Sequence, residues 1–448
     1  MSHYRLYPAY KDSGIEWIGE VPEHWKVISI KYLEGNGANV VQTGPFGAQL
    51  HAEDYVDEGV PLILIRNVGD MRIDDTNIPK VSYADAERLS IYRLREGDII
   101  FSRVGSIGRI ALCTERENGW IISGQMLRLR ITNSFVNKEF ITYAFRSSSL
   151  LTYIELQSVG STRESINTEI LRNMPLPIPG IIEQKIIADF LDRQTARIDA
   201  LITKKTRFIE LLKEKRQAFI THAVTKGLNP NVKMKDSGVE WIGEVPEHWS
   251  IVPLKIIAEI VNGATPDSKN TAYWDGDIAW YTPADIDNTV IKPLSIPQRQ
   301  ITEAGLASCS ARLTPAGSIV ISTRAPVGSI GVTTTISTTN QGCRSITPVP
   351  GMPSMLLASI LAAARSELAQ RSNGTTFQEL SAESLRALRI PLPPIDERLS
   401  ISSALDRQTA RIDHIIEKTQ RSIDLLRERR SALITAAVTG KIDLRGSL

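Results

Sequence analysis

Six histidines (His3, His24, His51, His222, His248, His414), three cysteines (Cys113, Cys309, Cys343) and two close acidic pairs (Asp74/Asp75, Asp285/Asp287) are the side chains of this 448-residue sequence best suited to metal or acid–base chemistry. Zinc sites need ligands at short, paired spacings, and these cysteines are far apart and odd in number. The histidines are scattered, and His24 and His248 are the same position of a repeated block, so they read as framework. The acidic pairs could be imagined on magnesium, but neither has a counterpart in the other half of the chain, and they read as solvated loops. No G-x-x-x-x-G-K-[ST] phosphate loop and no H-E-x-x-H occur. Gly105-Ser106-Ile107-Gly108 is glycine-rich but lacks the following helix whose dipole would favour a phosphate, so it reads as a turn between strands. No catalytic constellation emerges.

The elements that would position any site are written twice. Lys11 to Trp25 (KDSGIEWIGEVPEHW) and Lys235 to Trp249 (KDSGVEWIGEVPEHW) are identical at 14 of 15 positions, and LDRQTARID recurs unchanged at Leu191 to Asp199 and Leu405 to Asp413. Between these blocks, Gly97 to Ile110 faces Gly317 to Val332, and Gly160-Ser161-Thr162-Arg163 faces Gly374-Thr375-Thr376-Phe377. Leu64 to Asn77 and Ile278 to Thr289 correspond only loosely, so a shared scaffold carries diverged linings. Short β-branched runs at Asp98 to Ser102, Ser318 to Ser322, Leu62 to Ile65, Arg109 to Cys113 and Met126 to Ile131 predict strands, and Glu139 to Tyr153 and Ser354 to Gln370 predict helices.

Proline-rich stops, Pro175 to Pro179 and Pro391 to Pro394, read as a hinge or border. Each precedes about 45 residues without Pro or Gly, roughly 65 Å of helix. The 4-3 spacing gives a seam of Ile187, Leu191, Gln194, Ile198, Leu201, Lys205, Phe208, Leu212, Lys215 and Phe219, and a second of Ile401, Leu405, Gln408, Ile412, Ile415, Thr419, Ile423, Leu426, Arg430 and Leu433. Gly227 and Gly440 suit C-caps. Helices this long need a partner, and matched seams predict that each is the other's. The expected fold is α+β: two mixed α/β domains related by pseudo-twofold duplication, joined by two long antiparallel helices as a coiled coil. The expected boundaries are 1–180 and 229–394 for the domains with their leading blocks, 181–228 for the first spacer helix, and 395–448 for the second with its tail. The tail resembles the link between the halves, so the chain ends are expected to lie close together. Trp17, Trp25, Trp241 and Trp249 should pack the domains on the helices.

A net charge of +2, from 52 Lys plus Arg against 50 Asp plus Glu, excludes a globally basic binder but not basic patches. The longest nearly apolar run, Met355 to Ala364, is about half of the roughly 20 residues that cross a bilayer. The N-terminus lacks a signal-like run, and a cytoplasmic, reduced protein without a membrane role is expected.

Two similar but differently lined domains on a rigid spacer suit the reading of two half-sites on one polymer, and DNA rewards fixed spacing best. A bivalent DNA-binding regulator or architectural protein shares that geometry; a stand-alone nuclease would need the missing catalytic motifs. The WIGEVPEHW block, the GSTR loop before the proline border, the LDRQTARID helix, and the G-x-T-P-x-x-K and Y-W-D-G-D-I-x-W-Y run over Gly263 to Tyr281 resemble the specificity subunit of Type I restriction–modification systems, over essentially the whole chain. The resemblance implies a non-catalytic subunit whose two target recognition domains read a bipartite, asymmetric site in double-stranded DNA. It implies two adenine-N6 methyltransferase (modification) subunits and two restriction/translocase subunits as partners. S-adenosylmethionine, ATP and Mg would reside in those partners, with no cofactor and no metal in this chain.

Arg and Lys suit guanine or phosphate, Asn and Gln suit adenine, and Ser or Thr either. Candidate DNA contacts in the first domain are Gln42, Thr43, Gln49, Arg66, Asn67, Arg103, Ser106, Arg109, Thr162 and Arg163. In the second they are Asn262, Thr265, Lys269, Tyr273, Tyr281, Thr282, Arg324, Ser329 and Thr375. A surface or framework role is the alternative for each. Arg103 and Arg324 align roughly and are expected to share a phosphate contact, whereas Phe377 in place of Arg163 breaks any shared role there. Arg193, Arg197, Lys204, Lys205, Arg407 and Arg411 lie on the charged helix faces. The repeated block holding Arg193, Arg197, Arg407 and Arg411 would serve either partner docking or contacts between the helices.

Overall fold

The computed structural model describes residues 4–33, 41–46, 49–103, 109–158, 166–287, 291–324, 326–372 and 379–446. Two compact units divide the chain: Met1–Thr206 with Arg421–Leu448, and Arg207–Gln420. The expected strands and helices are present in both. In the first unit the main sheet runs in the order Val41–Thr43, Met126–Leu129, Ile99–Ser102, Ile110–Leu112, Asp70–Met71. In the second it runs Ala258–Asn262, Cys343–Pro348, Ile319–Ser322, Ile330–Val332. Both central strands are buried on both faces, which is why they read as unbroken apolar runs.

A smaller sheet accompanies each main one. It contains a parallel pair in both units, Ile121–Ile122 beside Val60–Ile63 and Trp274–Tyr281 beside Ser337–Thr339. Each predicted helix is two: Lys138–Phe145 and Ser148–Ser158, then Ser354–Ala363 and Arg365–Gln370. At the first break Ser147 Oγ accepts from the Leu150 amide at 3.3 Å, capping the next helix.

The proline stops are not hinges. Pro175–Ile178 pairs antiparallel with Lys26–Ser29, and Arg389–Leu392 with Ser250–Pro253. Proline's fixed φ suits extended backbone, and in a two-stranded ribbon its missing N–H faces no second neighbour.

The long helices are Ile181–Lys226 and Ile395–Val438, followed by Gly227 at φ 74 and Gly440 at φ 73, the left-handed C-caps expected. In the first unit the beginning of the first helix lies beside the end of the second, with Arg430 Nε 3.2 Å from Asp199. In the second unit the remaining parts meet, with Arg216 Nε 3.1 Å from Asp413. Pairing a beginning with an end is the arrangement of antiparallel helices. The second seam follows expectation except at the exposed Gln408. In the first seam Ile187, Leu191, Ile198 and Leu212 are buried as expected. Other positions slip by one residue: Leu201 and Phe208 are 40% and 46% exposed, and Thr195, Ile209, Arg216 and Ile220 are buried rather than Gln194, Phe208, Lys215 and Phe219. Burial at Ile187, Leu191 and Thr195 takes two steps of four in succession, which exchanges the order of the three- and four-residue steps that follow while Ile198 and Leu212 keep their places.

The repeated leading block fastens the start of each helix. Trp25 and Trp249 are 0% and 1% exposed. Trp25 Nε1 donates to Glu183 Oε1 at 3.3 Å, His24 Nε2 lies 2.9 Å from Oε2, and Tyr7 OH donates to Oε1 at 2.7 Å. In the second unit Trp249 Nε1 donates to Glu397 at 3.1 Å and His248 Nε2 lies 2.6 Å from it. Burial and the Glu183 carboxylate push the Tyr7 phenol well above its ordinary range, so it remains a donor. The identity of the two blocks therefore has a mechanical cause, a clamp on one glutamate in the first turn of each helix. Trp17 and Trp241 are only half-buried; Trp17 stacks on Tyr153 at 5.1 Å.

The chain ends meet within the first unit. The Asp443 amide donates to Arg5 O at 2.7 Å and Lys441 Nζ to Glu20 O at 2.7 Å; Met1 and Leu448 themselves lie outside the described residues. Among the described residues no helix is long and apolar enough to cross a membrane.

Candidate nucleic-acid interface

Strand pairing gathers the candidate residues at one end of each main sheet. In the first unit Thr43 opposes Leu127, Ser102 opposes Met126, and Phe101 opposes Ile110, so the segments that begin or end there share a rim. Gln42 and Thr43 are half-buried on it; Gln42 Nε2 donates to Thr43 O at 3.1 Å. Arg103 follows at the next position, its amide donating to Gln125 O at 2.9 Å. Arg109 is exposed yet donates from Nη1 to Ile65 O at 3.4 Å and Val68 O at 3.3 Å, which ties it to the turn bearing the exposed Arg66. Gln49 is exposed, with its Oε1 accepting from Tyr92 OH at 2.9 Å.

In the second unit Asn262 opposes Arg344, Ser322 opposes Cys343, and Ile321 opposes Ile330, forming the equivalent rim. Thr265 and Lys269 are exposed on the loop leaving Asn262, and Tyr273 and Thr282 are half-buried nearby in sequence. Thr282 Oγ1 donates to Asp285 at 2.7 Å. Trp280 Nε1 donates to Ala264 O at 2.9 Å, and the Asn340 amide to Tyr281 O at 2.9 Å, which joins this loop to the small sheet.

Three candidates differ from the expected surface role. Asn67 is buried: its Oδ1 accepts from the Leu64 amide at 3.2 Å and its Nδ2 donates to Asp74 O at 3.0 Å, so the carboxamide holds a turn. Tyr281 is buried, its hydroxyl donating to Ser295 O at 3.1 Å, and Ser329 is buried beside Pro326. Buried polar groups are committed to internal partners, and these are. Ser106, Thr162, Arg163 and Thr375 lie outside the described residues.

The expected equivalence of Arg103 and Arg324 also fails. The Ser102 amide donates to Arg109 O at 3.0 Å as the Ser322 amide does to Ser329 O at 2.9 Å, so Arg103 corresponds to Thr323. Arg324 stands one residue further, where its guanidinium reaches Glu379 at 3.2 Å, a carboxylate that Arg344 also approaches at 3.8 Å. The two arginines therefore stand one position apart past the strand ends, an offset that the loose match of Gly97 to Ile110 with Gly317 to Val332 could not resolve.

Two glutamines at the rim were missed. Gln125 and Gln341 are exposed in the turns before Met126–Leu129 and Cys343–Pro348. The signal was a Gly–Gln or Gln–Gly pair just ahead of a strand in both halves. A glycine makes each turn possible: a Cβ at Gly44 would lie 2.0 Å from Ser123 O, and one at Gly263 would lie 1.9 Å from Asn340 O. Gly263→Ala is therefore expected to force the loop off the turn and cost the second unit about 1–3 kcal/mol, seen as a lower melting temperature with the first unit's exchange protection unchanged.

Among the described residues no group of three His, Cys, Asp or Glu could hold a metal ion. Burial pushes the Cys113 and Cys343 thiols well above their ordinary range, so both behave as core atoms. The exposed arginines of the repeated helical block, Arg193, Arg197, Arg407 and Arg411, project from helix faces opposite the buried Leu191, Ile198, Leu405 and Ile412.

Residues 52–211 and 246–425 match the type I restriction modification DNA specificity domain. The chain is 36% identical over 187 residues to the type I restriction enzyme MjaIX specificity subunit of Methanocaldococcus jannaschii, covering 41% of this chain and 42% of that one. It is 22% identical over 308 residues to the EcoR124I/EcoR124II specificity subunit of Escherichia coli, covering 66% and 70%. A chain from a solved type I R-M system superimposes with a TM-score of 0.71 at 19% identity, covering 96% of this chain and 99% of that one, which shows a shared fold. With its domain matched twice and most of its length accounted for, this chain belongs to the type I restriction modification DNA specificity family.

Proposed function

We propose that the chain is the DNA sequence-specificity subunit of a type I restriction–modification complex, each domain reading one half of a bipartite, asymmetric site. The observation that carries this reading is the contrast between frame and rim. The sheet register, the glycine contacts and the tryptophan–glutamate clamp are repeated, while the rim side chains differ between the units. A frame duplicated with its surface diverged is what two different half-sites require, because base edges are distinguished by the donors and acceptors set against them. In this reading the reaction itself, adenine methylation from S-adenosylmethionine and ATP-driven restriction with Mg, belongs to partner subunits. Two modification subunits would use the two copies of the helical block, around Arg193 and Arg197 and around Arg407 and Arg411, since equivalent subunits need equivalent sites. Two restriction subunits complete the assembly.

The test is to co-express the chain with an adenine methyltransferase subunit and map modified adenines across host DNA by single-molecule sequencing. The expected result is a two-part motif with a fixed gap, absent without this chain. Replacing residues 35–174 by another such domain is expected to change one half of the motif and leave the other. A folded, co-purifying complex that methylates nothing, while the chain alone still binds DNA tightly, would favour the bivalent regulator.

A further inference from the structure

Equal sheet register allows the rims of the two domains to be matched residue by residue. Met126 and Cys343 each oppose the serine that ends the central strand, Ser102 and Ser322. Gly44 and Gly263 each lie where a Cβ would strike the carbonyl oxygen of Ser123 or Asn340. Two residues beyond those glycines stand Phe46 and Thr265. Two residues before Met126 and Cys343 stand Gly124 and Gln341. One seat, framed by the same backbone, thus holds Phe46, Arg103 and Gly124 in the first domain and Thr265, Thr323 and Gln341 in the second.

What fills the seat differs in kind. In the first domain Phe46 is 51% exposed and the Arg103 guanidinium lies 5.0 Å from its ring centroid. Gly124 leaves the room this needs, because a Cβ there would sit 2.2 Å from Pro45 O. In the second domain the Thr265 hydroxyl donates to Gln341 Oε1, and both side chains are exposed. Neighbouring cations are engaged elsewhere: Arg109 on the carbonyls of Ile65 and Val68, Arg324 on Glu379. The seat therefore combines exposure, a rigid backbone and chemistry that changes from one domain to the other.

We propose that this seat carries the base-reading side chains, Phe46 with Arg103 in the first domain and Gln341, held by Thr265, in the second. The inference rests on the DNA-specificity reading above and names the residues that execute it. Thr265 engages one lone pair of the Gln341 oxygen and fixes the carboxamide, whose two N–H donors suit acceptors such as guanine O6 and N7 or thymine O4. Phe46 presents an apolar ring suited to a thymine methyl, and the terminal N–H groups of Arg103, whose guanidinium lies over that ring while its Nε is buried, suit guanine or phosphate. Thr265 is a positioning residue, acting through Gln341.

The experiment maps modified adenines from the full complex assembled with Phe46→Ala, Gln341→Ala, Gln341→Glu, Thr265→Val and Thr265→Ser, each first checked for co-purification and melting temperature. Phe46→Ala is expected to relax one base pair of one half-site, and Gln341→Ala one base pair of the other, each with about ten- to hundredfold loss of discrimination. Thr265→Val should relax the same base pair as Gln341→Ala, while Thr265→Ser keeps the wild-type motif. Gln341→Glu, an acceptor in place of donors, should move the preference at that pair toward a base with an exposed amino group. Phe46→Ala or Gln341→Ala leaving the motif intact, or both acting on the same half-site, overturns the proposal. So does Thr265→Val acting at a different base pair. A wild-type complex giving no two-part motif is a separate result, the failure of the functional reading itself.

Discussion

Trp25→Ala is expected to remove about 3–5 kcal/mol from the first unit, as large aromatic truncations in close-packed cores do. The indole is fully buried, packs edge-on against Phe140 at 6.4 Å and Tyr7 at 5.9 Å, and satisfies Glu183 through Nε1. Its loss opens a cavity and loosens the start of the long helix in the same stroke. Trp249→Ala should act with similar size on the second unit, where the Glu397 contact is the counterpart. Trp17→Ala, removing a half-buried ring, should cost much less. Because two units unfold in one chain, the readout is hydrogen exchange resolved by segment rather than a single melting curve. Trp25→Ala should accelerate exchange in Val41–Thr43, Ile99–Ser102 and Met126–Leu129 and spare Ile319–Ser322. Uniform acceleration across both units, or none, would contradict the clamp.

Arg130→Ala is expected to destabilise the first unit by a similar amount, about 3–5 kcal/mol, because it strands a buried carboxylate. Asp98 is 1% exposed and receives Arg130 Nε at 2.8 Å, Arg130 Nη2 at 2.6 Å and the Arg95 amide at 2.8 Å. The pair closes the turn into Ile99–Ser102, the central strand of the rim sheet. Adding Asp98→Asn to Arg130→Ala should recover part of the loss by removing the unpaired charge, and denaturant midpoints of the single and double variants measure that coupling. An additive double variant would show that the pair contributes little beyond its packing.

The duplication makes the frame legible in the sequence itself. Identical leading blocks, helices that run without proline or glycine, and glycines at 227 and 440 each state a local requirement that the chain meets locally. The site was legible only in outline. Thr43 and Asn262 reach the rim because they end strands, and Arg103 and Thr265 because they follow closely on strand ends. Asn67, Tyr281 and Ser329 have the same residue types and neighbourhoods, but their burial depends on which carbonyls lie across the fold. The displaced seam positions of the first helix, such as Ile209 for Phe208, and the offset of Arg324 from Arg103 are each a slip of one residue. Periodicity constrains spacing, whereas partner strands and helices select the phase. The proline ribbons escaped for a related reason: Pro175–Ile178 is a strand only because Lys26–Ser29 lies beside it. Gln341 escaped because its role depends on Thr265, 76 residues away.

The partition of the chain into units also sets an order in time. The second unit is one unbroken stretch, Arg207–Gln420, whereas the first needs Arg421–Leu448 as well as Met1–Thr206. During synthesis the stretch made later is thus complete first. The earlier one waits for the last turns of the second helix, carrying Leu433, Ile434, Ala437 and Val438, to close its core. Until then the nascent first domain must hold its half of the apolar surface open, with a loop of more than two hundred residues still to be closed. A domain that cannot finish until its twin exists makes a half-synthesised reader incomplete, so recognition of one half-site is withheld until the chain that reads the other has been made.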